Sequence, residues 1–420
     1  MYLKDVQIKN YGCIKDLNYK IPFNENGTPK PIIVIGQNGS GKTLLLSNII
    51  HSLIEFKKQY SEGFNKEDSD DLYRVASTKY ICSGENYYYN HFNFTDNTYH
   101  VEMLTNDFNK FKDKNFDANI FHNIEIEDKK LVETGFYQGS NQTDKKDFDH
   151  NVYLYFPVER YYIPTWLNKS SAKLELNVES GTANTDSMDI IRCNVMQDIE
   201  KWILDVIIDK LLYEKSKTSV PIDKTNRTFK EMLTYKGKNN DILTNLNFII
   251  SEIVKVSDEN CASARLGVSS KKGRRISIIK HFKDNTEKEY VPTFENLSSG
   301  QIMILSLFAT ILKEYDKISN GNLIDISNIK GMVLIDEIDN HLHSDFCRRL
   351  LPKLISLFSG IQFIVSSHSP FYLLGMKEVF GENCEFLSLP KGTINNIEKF
   401  DEIRNMYELF FKTGDKTVTE

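Results

Sequence analysis

The sequence predicts an α/β fold: a mixed sheet carrying helices, with a β-rich N-terminal lobe and an inserted helical sub-domain. Three observations lead there. Apolar runs such as Ile32-Ile33-Val34-Ile35 read as buried strands and break off at glycine or acidic residues. Helical spacing follows the first of them, and period-two alternation recurs in the polar stretch from Tyr60 to Asp149.

In chain order, Leu3, Val6 and Ile8 alternate with Lys4, Asp5, Gln7 and Lys9, which gives a strand. Asn10-Tyr11-Gly12 turns the chain, and Cys13 to Ile21 returns it. After Pro29 and Pro31 the run Ile32–Ile35 leads into Gly36-Gln37-Asn38-Gly39-Ser40-Gly41-Lys42-Thr43, a full G-x-x-x-x-G-K-[ST] pattern. Glycines at 36, 39 and 41 let successive N–H groups curl around a phosphate, with Asn38 and Ser40 between them. Lys42 can reach β- and γ-phosphates, and the Thr43 hydroxyl can sit on Mg²⁺. Leu45, Ile49, Leu53 and Phe56 then mark a helix from Leu44 to Lys58.

The stretch to Asp149 reads as a β-rich insertion with long loops, ending in a linker over Asn141–His150. Asn151 to Pro157 is a second buried strand, with Glu159-Arg160-Tyr161 at its end, where α/β sheets place ligand contacts. Asp189 to Tyr213 is expected as one amphipathic helix with the stripe Ile190, Ile191, Val195, Ile199, Trp202, Ile203, Val206 and Leu211. Lys215 to Asn240 is expected as a loop or short helix, and Asp241 to Lys255 as a helix. Leu266 to Ile279 reads as strand–turn–strand. Lys271, Lys272, Arg274 and Arg275 cluster at its turn, as a solvated tip or as a contact for a nucleic-acid phosphate.

Three motifs follow. Leu297-Ser298-Ser299-Gly300-Gln301 precedes the apolar helix Ile302–Leu312; Ser298 reads as a helix N-cap or as part of an anion contact. Gly331-Met332-Val333-Leu334-Ile335-Asp336-Glu337 is a buried strand ending in two carboxylates. Neighbouring strand residues face opposite ways, so Asp336 can hold Mg²⁺ while Glu337 polarises water. Ser366-Ser367-His368-Ser369-Pro370 follows the apolar strand Ile361–Val365, placing His368 to contact a γ-phosphate.

A net charge of −6 argues against a broadly basic coat for nucleic acid. The longest apolar run, Ile302–Leu312, is too short to span a bilayer. With no N-terminal signal pattern and six scattered cysteines, the expectation is a cytoplasmic chain with reduced thiols and no membrane partner.

The ordered set G-Q-N-G-S-G-K-T, L-S-S-G-Q, V-L-I-D-E and S-S-H-S-P resembles an ABC-type P-loop NTPase head. The opening L-K-D-V-Q-I-K-N-Y-G-C-I-K-D and the stretch D-E-I-D-N-H-L-H are similar to the RecF/SMC and OLD-like branch. Within it they are most like the stand-alone ATPases of anti-phage systems of the Septu, PARIS and retron-associated types. The resemblance covers residues 1–58, about 150–166 and 265–400. It implies a head whose N-terminal part spans 1–185, a helical insertion 186–260 and a C-terminal part 261–420.

It implies ATP and Mg²⁺ as cofactors, with phosphates on Gly36–Thr43 and metal on Thr43 and Asp336. Glu337 is then the hydrolytic base and His368 the γ-phosphate sensor. Ser298, Ser299, Gly300 and Gln301 cap the nucleotide of a second subunit in an ATP-sandwiched homodimer or higher oligomer, and Asp339 opens the loop that crosses the interface. Ser299 stands where the usual signature has glycine. Ile338 and Ser344 replace prolines of the pattern. No glutamine lies in Tyr153–Tyr162, so Glu159 or Arg160 takes that place. The tail from Phe371 lacks the D-x-D of a TOPRIM nuclease, so the expected effector is a separate protein of HNH or TOPRIM class. Alternative readings are a RecF-like repair ATPase on duplex DNA and a slow, nucleotide-gated scaffold.

Overall fold

Two apolar cores, one on each face of a six-stranded sheet, organise the chain. The computed structural model describes residues 1–60, 78–96, 98–105, 132–138, 150–158, 160, 190–192, 196–223, 228–269, 275–319 and 325–394. The sheet runs β16 (Thr393–Ile394), β15 (Glu385–Ser388), β3 (Ile32–Ile35), β14 (Ile361–Ser366), β13 (Gly331–Ile335), β7 (Val152–Phe156). All its neighbours are parallel except β15 and β16.

Burial on both faces is why these strands read as unbroken apolar runs instead of alternating ones. Within β3, Ile33 and Ile35 enter one core while Ile32 and Val34 enter the other. Within β13 the same split puts Val333 and Ile335 opposite Met332 and Leu334. The parallel register brings the C-terminal ends of β3, β14, β13 and β7 side by side.

The second core packs helix α1 (Lys42–Tyr60) between this sheet and a five-stranded antiparallel one. The latter has the order β2 (Ile14–Lys20), β1 (Leu3–Tyr11), β4 (Tyr87–Phe94), β5 (Thr98–Thr105), β6 (Val132–Gln138). The N-terminal hairpin and the β-rich insertion therefore build one sheet. It is fastened to the central sheet by Gln362 on β14, a fully buried amide. Its oxygen accepts from the Leu3 N–H at 2.8 Å and its nitrogen donates to the Leu3 carbonyl at 2.9 Å.

The first core holds α2 (Met196–Tyr213), α3 (Lys238–Ser257) and α4 (Ser299–Ile318). It also covers a small antiparallel sheet of β10 (Cys261–Val268), β11 (Ile276–Phe282) and β12 (Glu287–Val291). After β13, a π-turn over Phe346–Leu350 leads into α5 (Leu351–Leu357), and α6 (Pro370–Phe380) follows β14.

The structure corrects several expectations. Lys215–Asn240 is neither loop nor short helix: β8 (Lys215–Asp223) and β9 (Thr228–Tyr235) form a two-stranded hairpin between α2 and α3. Pro221 hid it, yet the ladder shifts register between Pro221 and Asp223, and both strands are edges, where proline is tolerated. The helix expected from Asp189 begins at Met196; Ile191 instead bridges Tyr155 beside β7. Of the expected stripe, Ile199, Trp202, Ile203 and Val206 are buried, whereas Leu211 is 51% exposed because α2 runs past the core. The linker over 141–149 lies outside the described residues.

Candidate nucleotide site

Four parallel strands deliver the site's residues from their C-terminal ends. β3 runs into the phosphate loop, and only glycine fits two of its positions. A Cβ on Gly36 would stand 2.6 Å from the Leu389 carbonyl oxygen. On Gly41, at φ +98°, it would stand 2.9 Å from both Cys13 Sγ and Ile14 Cγ1. Asn38 and Gly39 form the exposed crest of the loop, and Ser40 is buried behind it. Lys42, at the first turn of α1, is 7% exposed; its Nζ donates to the Gly36 carbonyl at 2.9 Å and the Gln37 carbonyl at 3.3 Å. The ammonium thus lies in the mouth of the loop, where a phosphate oxygen would compete for it.

β13 delivers the carboxylates. Asp336 is fully buried, and its two oxygens have different partners. Oδ2 accepts from the Thr43 hydroxyl at 2.6 Å. Oδ1 accepts from the Ser366 hydroxyl at the end of β14. Ser366 Oγ also accepts from the Glu337 N–H at 2.8 Å. Strand alternation is not what separates the two carboxylates, contrary to expectation: β13 ends at Ile335, and Glu337 sits in the left-handed region at φ +45°. Such a conformation costs ~1–3 kcal/mol and persists where the surroundings over-determine it.

Arg160 completes that over-determination from beyond β7. It is 4% exposed and donates to the carbonyls of Pro157 at 2.8 Å and Glu337 at 2.6 Å, and to that of Asp336. Burial pulls its pKa down, opposed by the carboxylates of Asp336, Asp339 and Glu337. Of the pair proposed for the missing glutamine, Arg160 meets the site through backbone carbonyls, and Glu159 lies outside the described residues.

Buried polar atoms without hydrogen-bond partners gather in the same motifs: Ser40 Oγ, Asp339 Oδ1 and His368 Nε2. Leaving a buried polar atom unmet costs ~1–3 kcal/mol, which a polar ligand bonded to these atoms would offset. The donor set suits Mg²⁺ as well. Thr43 Oγ1 and Asp336 Oδ2 stand 2.6 Å apart, near the roughly 2.9 Å between adjacent ligands of an octahedral ion with 2.0–2.1 Å bonds.

The L-S-S-G-Q motif is built differently. Ser298 caps α4: its hydroxyl accepts from the Gln301 N–H at 3.3 Å, and Gln301 Oε1 accepts from the Ser298 N–H at 3.0 Å. Gln301 Nε2 donates to Ser257 and Tyr290, both at 3.0 Å. Gly300 packs against His341 and Leu342 of the loop after Glu337, while Ser298 and Ser299 are exposed. The described contacts of this motif do not include the phosphate loop. Of the basic cluster, Lys271, Lys272 and Arg274 lie outside the described residues, and Arg275 pairs with Glu295 at 3.0 Å.

Sequence reasoning missed Ser366 as the joint partner of Asp336 and Glu337, although it had the S-S-H-S-P motif in view. Strand ends beside a D-E pair are where such a hydroxyl can be sought.

Phosphate loop, acidic strand end and parallel order together make this an α/β P-loop fold of the ABC-head type. Comparison with known proteins places the chain in a family. The chain is 26% identical over 410 residues to the retron Vc95 probable ATPase of Vibrio cholerae serotype O1 biovar El Tor, covering 88% of this chain and 71% of that one. It is 21% identical over 371 residues to the Septu protein PtuA of Bacillus thuringiensis, covering 88% and 72%. Superposition on an SMC head bound to the C-terminal winged-helix domain of ScpA covers 92% of this chain and 94% of that one, at 15% identity and a TM-score of 0.40. A family model described as "AAA domain, putative AbiEii toxin, Type IV TA system" matches residues 32–373, well over half of the sequence, and the chain belongs to that family.

Proposed function

We propose that this protein is an Mg²⁺-dependent ATPase that dimerises around ATP and controls a separate effector protein in anti-phage defence. The observation that carries the chemistry is the Thr43–Asp336 contact at 2.6 Å, which joins phosphate loop and acidic strand end at one ion-sized position. A bound Mg²⁺ would supply charge neutralisation for the phosphates. Lys42 would bind and orient them, Glu337 would accept the proton of the attacking water, and His368 would present Nε2 to the γ-phosphate. The exposed Ser298 and Ser299 at the start of α4 face outward, which suits a contact made to the nucleotide of a second copy. The names of the retron and Septu relatives support the defence role.

Glu337→Gln tests the reading. It keeps size and polarity but removes the base, so ATP should drive the variant into a long-lived dimer visible by light scattering. A variant that stays monomeric with ATP and turns over at the parental rate overturns both halves of the proposal.

A further inference from the structure

A second cluster of chemistry-bearing side chains lies away from the nucleotide site, between α1 and the N-terminal sheet. His51 comes from α1, two turns and ~12 Å of helix beyond Thr43. His100 and Glu102 come from β5, two residues apart and therefore on the same face. Each of the three is only 1% exposed. One ligand atom from each of the three lies within 4.8 Å of those of the other two.

We propose that His51, His100 and Glu102 bind a divalent transition-metal ion of the zinc class, which joins the phosphate-loop helix to the N-terminal sheet. Donor chemistry comes first. Two imidazoles and one carboxylate are a zinc set with a fourth position left for water, whereas Mg²⁺ and Ca²⁺ call for oxygen throughout. Geometry agrees. His51 Nε2 and Glu102 Oε2 are 3.3 Å apart, close to the ~3.3 Å between tetrahedral ligands on bonds of about 2.0 Å. A separate observation points to a ligand: both nitrogens of His51 are buried with no hydrogen-bond partner. Opposite Glu102 in register, Asn90 likewise holds a buried amide oxygen without one.

The carboxylate has an outer-shell partner. The Tyr88 hydroxyl donates to the other oxygen of Glu102, leaving Oε2 toward the histidine. Without an ion, His51 and Glu102 meet in a direct side-chain contact alone.

The test uses the full chain, purified without added metal and analysed by plasma emission, then stripped with chelator and reloaded with Co²⁺. The expected result is about one zinc-class ion per chain. Co²⁺ should then give the intense visible bands of a four-coordinate N/O site. His100→Gln and Glu102→Gln should weaken metal binding by at least ~10-fold, while Asp336→Asn leaves it in place. The wild-type metal content and Co²⁺ spectrum stand even where a variant fails to fold. Folded wild type that holds no ion and gives no tetrahedral Co²⁺ bands at micromolar metal overturns the proposal in favour of the direct contact. Metal lost with Asp336→Asn overturns it by assigning the ion to the nucleotide site.

Discussion

The phosphate-loop side and the signature side of this molecule treat their polar groups in opposite ways. Around Thr43, Asp336 and His368, groups from strands far apart in sequence converge, and Ser40 Oγ, Asp339 Oδ1 and His368 Nε2 are left without partners. Around Ser298, the first and last residues of a four-residue stretch satisfy each other, and Gln301 spends its whole amide on the capping box, Ser257 and Tyr290. One side keeps buried polar atoms unmet. The other is a finished helix start that presents its exposed edge outward. In a protein that sandwiches a nucleotide between copies, the first would supply affinity and the second would supply the partner's contact.

The comparison can be broken by substitution. The largest effect is expected for Lys42→Ala, which removes the only phosphate-loop cation: ATP affinity, read by nucleotide fluorescence, should collapse beyond detection. Undiminished affinity would move the binding site elsewhere. Glu337→Gln should slow hydrolysis by ~10²–10⁴ with affinity retained, measured by phosphate release under saturating ATP.

Ser366→Ala unties Asp336 from the Glu337 N–H. As the loss of an outer-shell partner, it should weaken Mg²⁺ affinity and so raise the Mg²⁺ concentration for half-maximal turnover by ~10–100-fold. Arg160→Ala should also lower turnover, by releasing Glu337 from its left-handed conformation. A kcat drop that extra Mg²⁺ restores for Ser366→Ala, but not for Arg160→Ala, would separate metal positioning from base positioning.

The smallest effect belongs to the signature side. Ser298→Ala should cost ~0.5–2 kcal/mol of stability as a lost cap, seen in urea unfolding, and should leave the monomer's ATP affinity unchanged. If affinity falls with it, the contrast between the two sides is wrong.

Much of the site was legible because phosphate chemistry restricts residue types in a fixed order. The glycines at 36 and 41, Lys42, Thr43 and the Asp336–Glu337 pair are each hard to replace. Ser366 and Arg160 were harder to read for a physical reason. Each acts through the spatial order of strands, and β7, β13 and β14 are neighbours only after folding. The triad of His51, His100 and Glu102 was invisible in the same way, since its members come from the phosphate-loop helix and from a strand inside the β-rich insertion. The β8–β9 hairpin was misread because its first strand is polar and holds Pro221, a composition that says loop unless the partner strand is known. Within β3, by contrast, four apolar residues in a row could only mean a strand buried on both faces.

The amide of Gln362 has a mechanical consequence. By offering Leu3 both a donor and an acceptor, it imitates one residue of a neighbouring strand and couples two sheets that share no ladder. Gln362 and Ser366 lie on the same strand, ~13 Å apart along an extended chain, and point to the same side. β14 is therefore a tie rod, with the N-terminal lobe bolted to one end and the Asp336–Glu337 corner to the other. A displacement of the lobe would load the same strand whose far end carries the hydroxyl that meets both carboxylate residues.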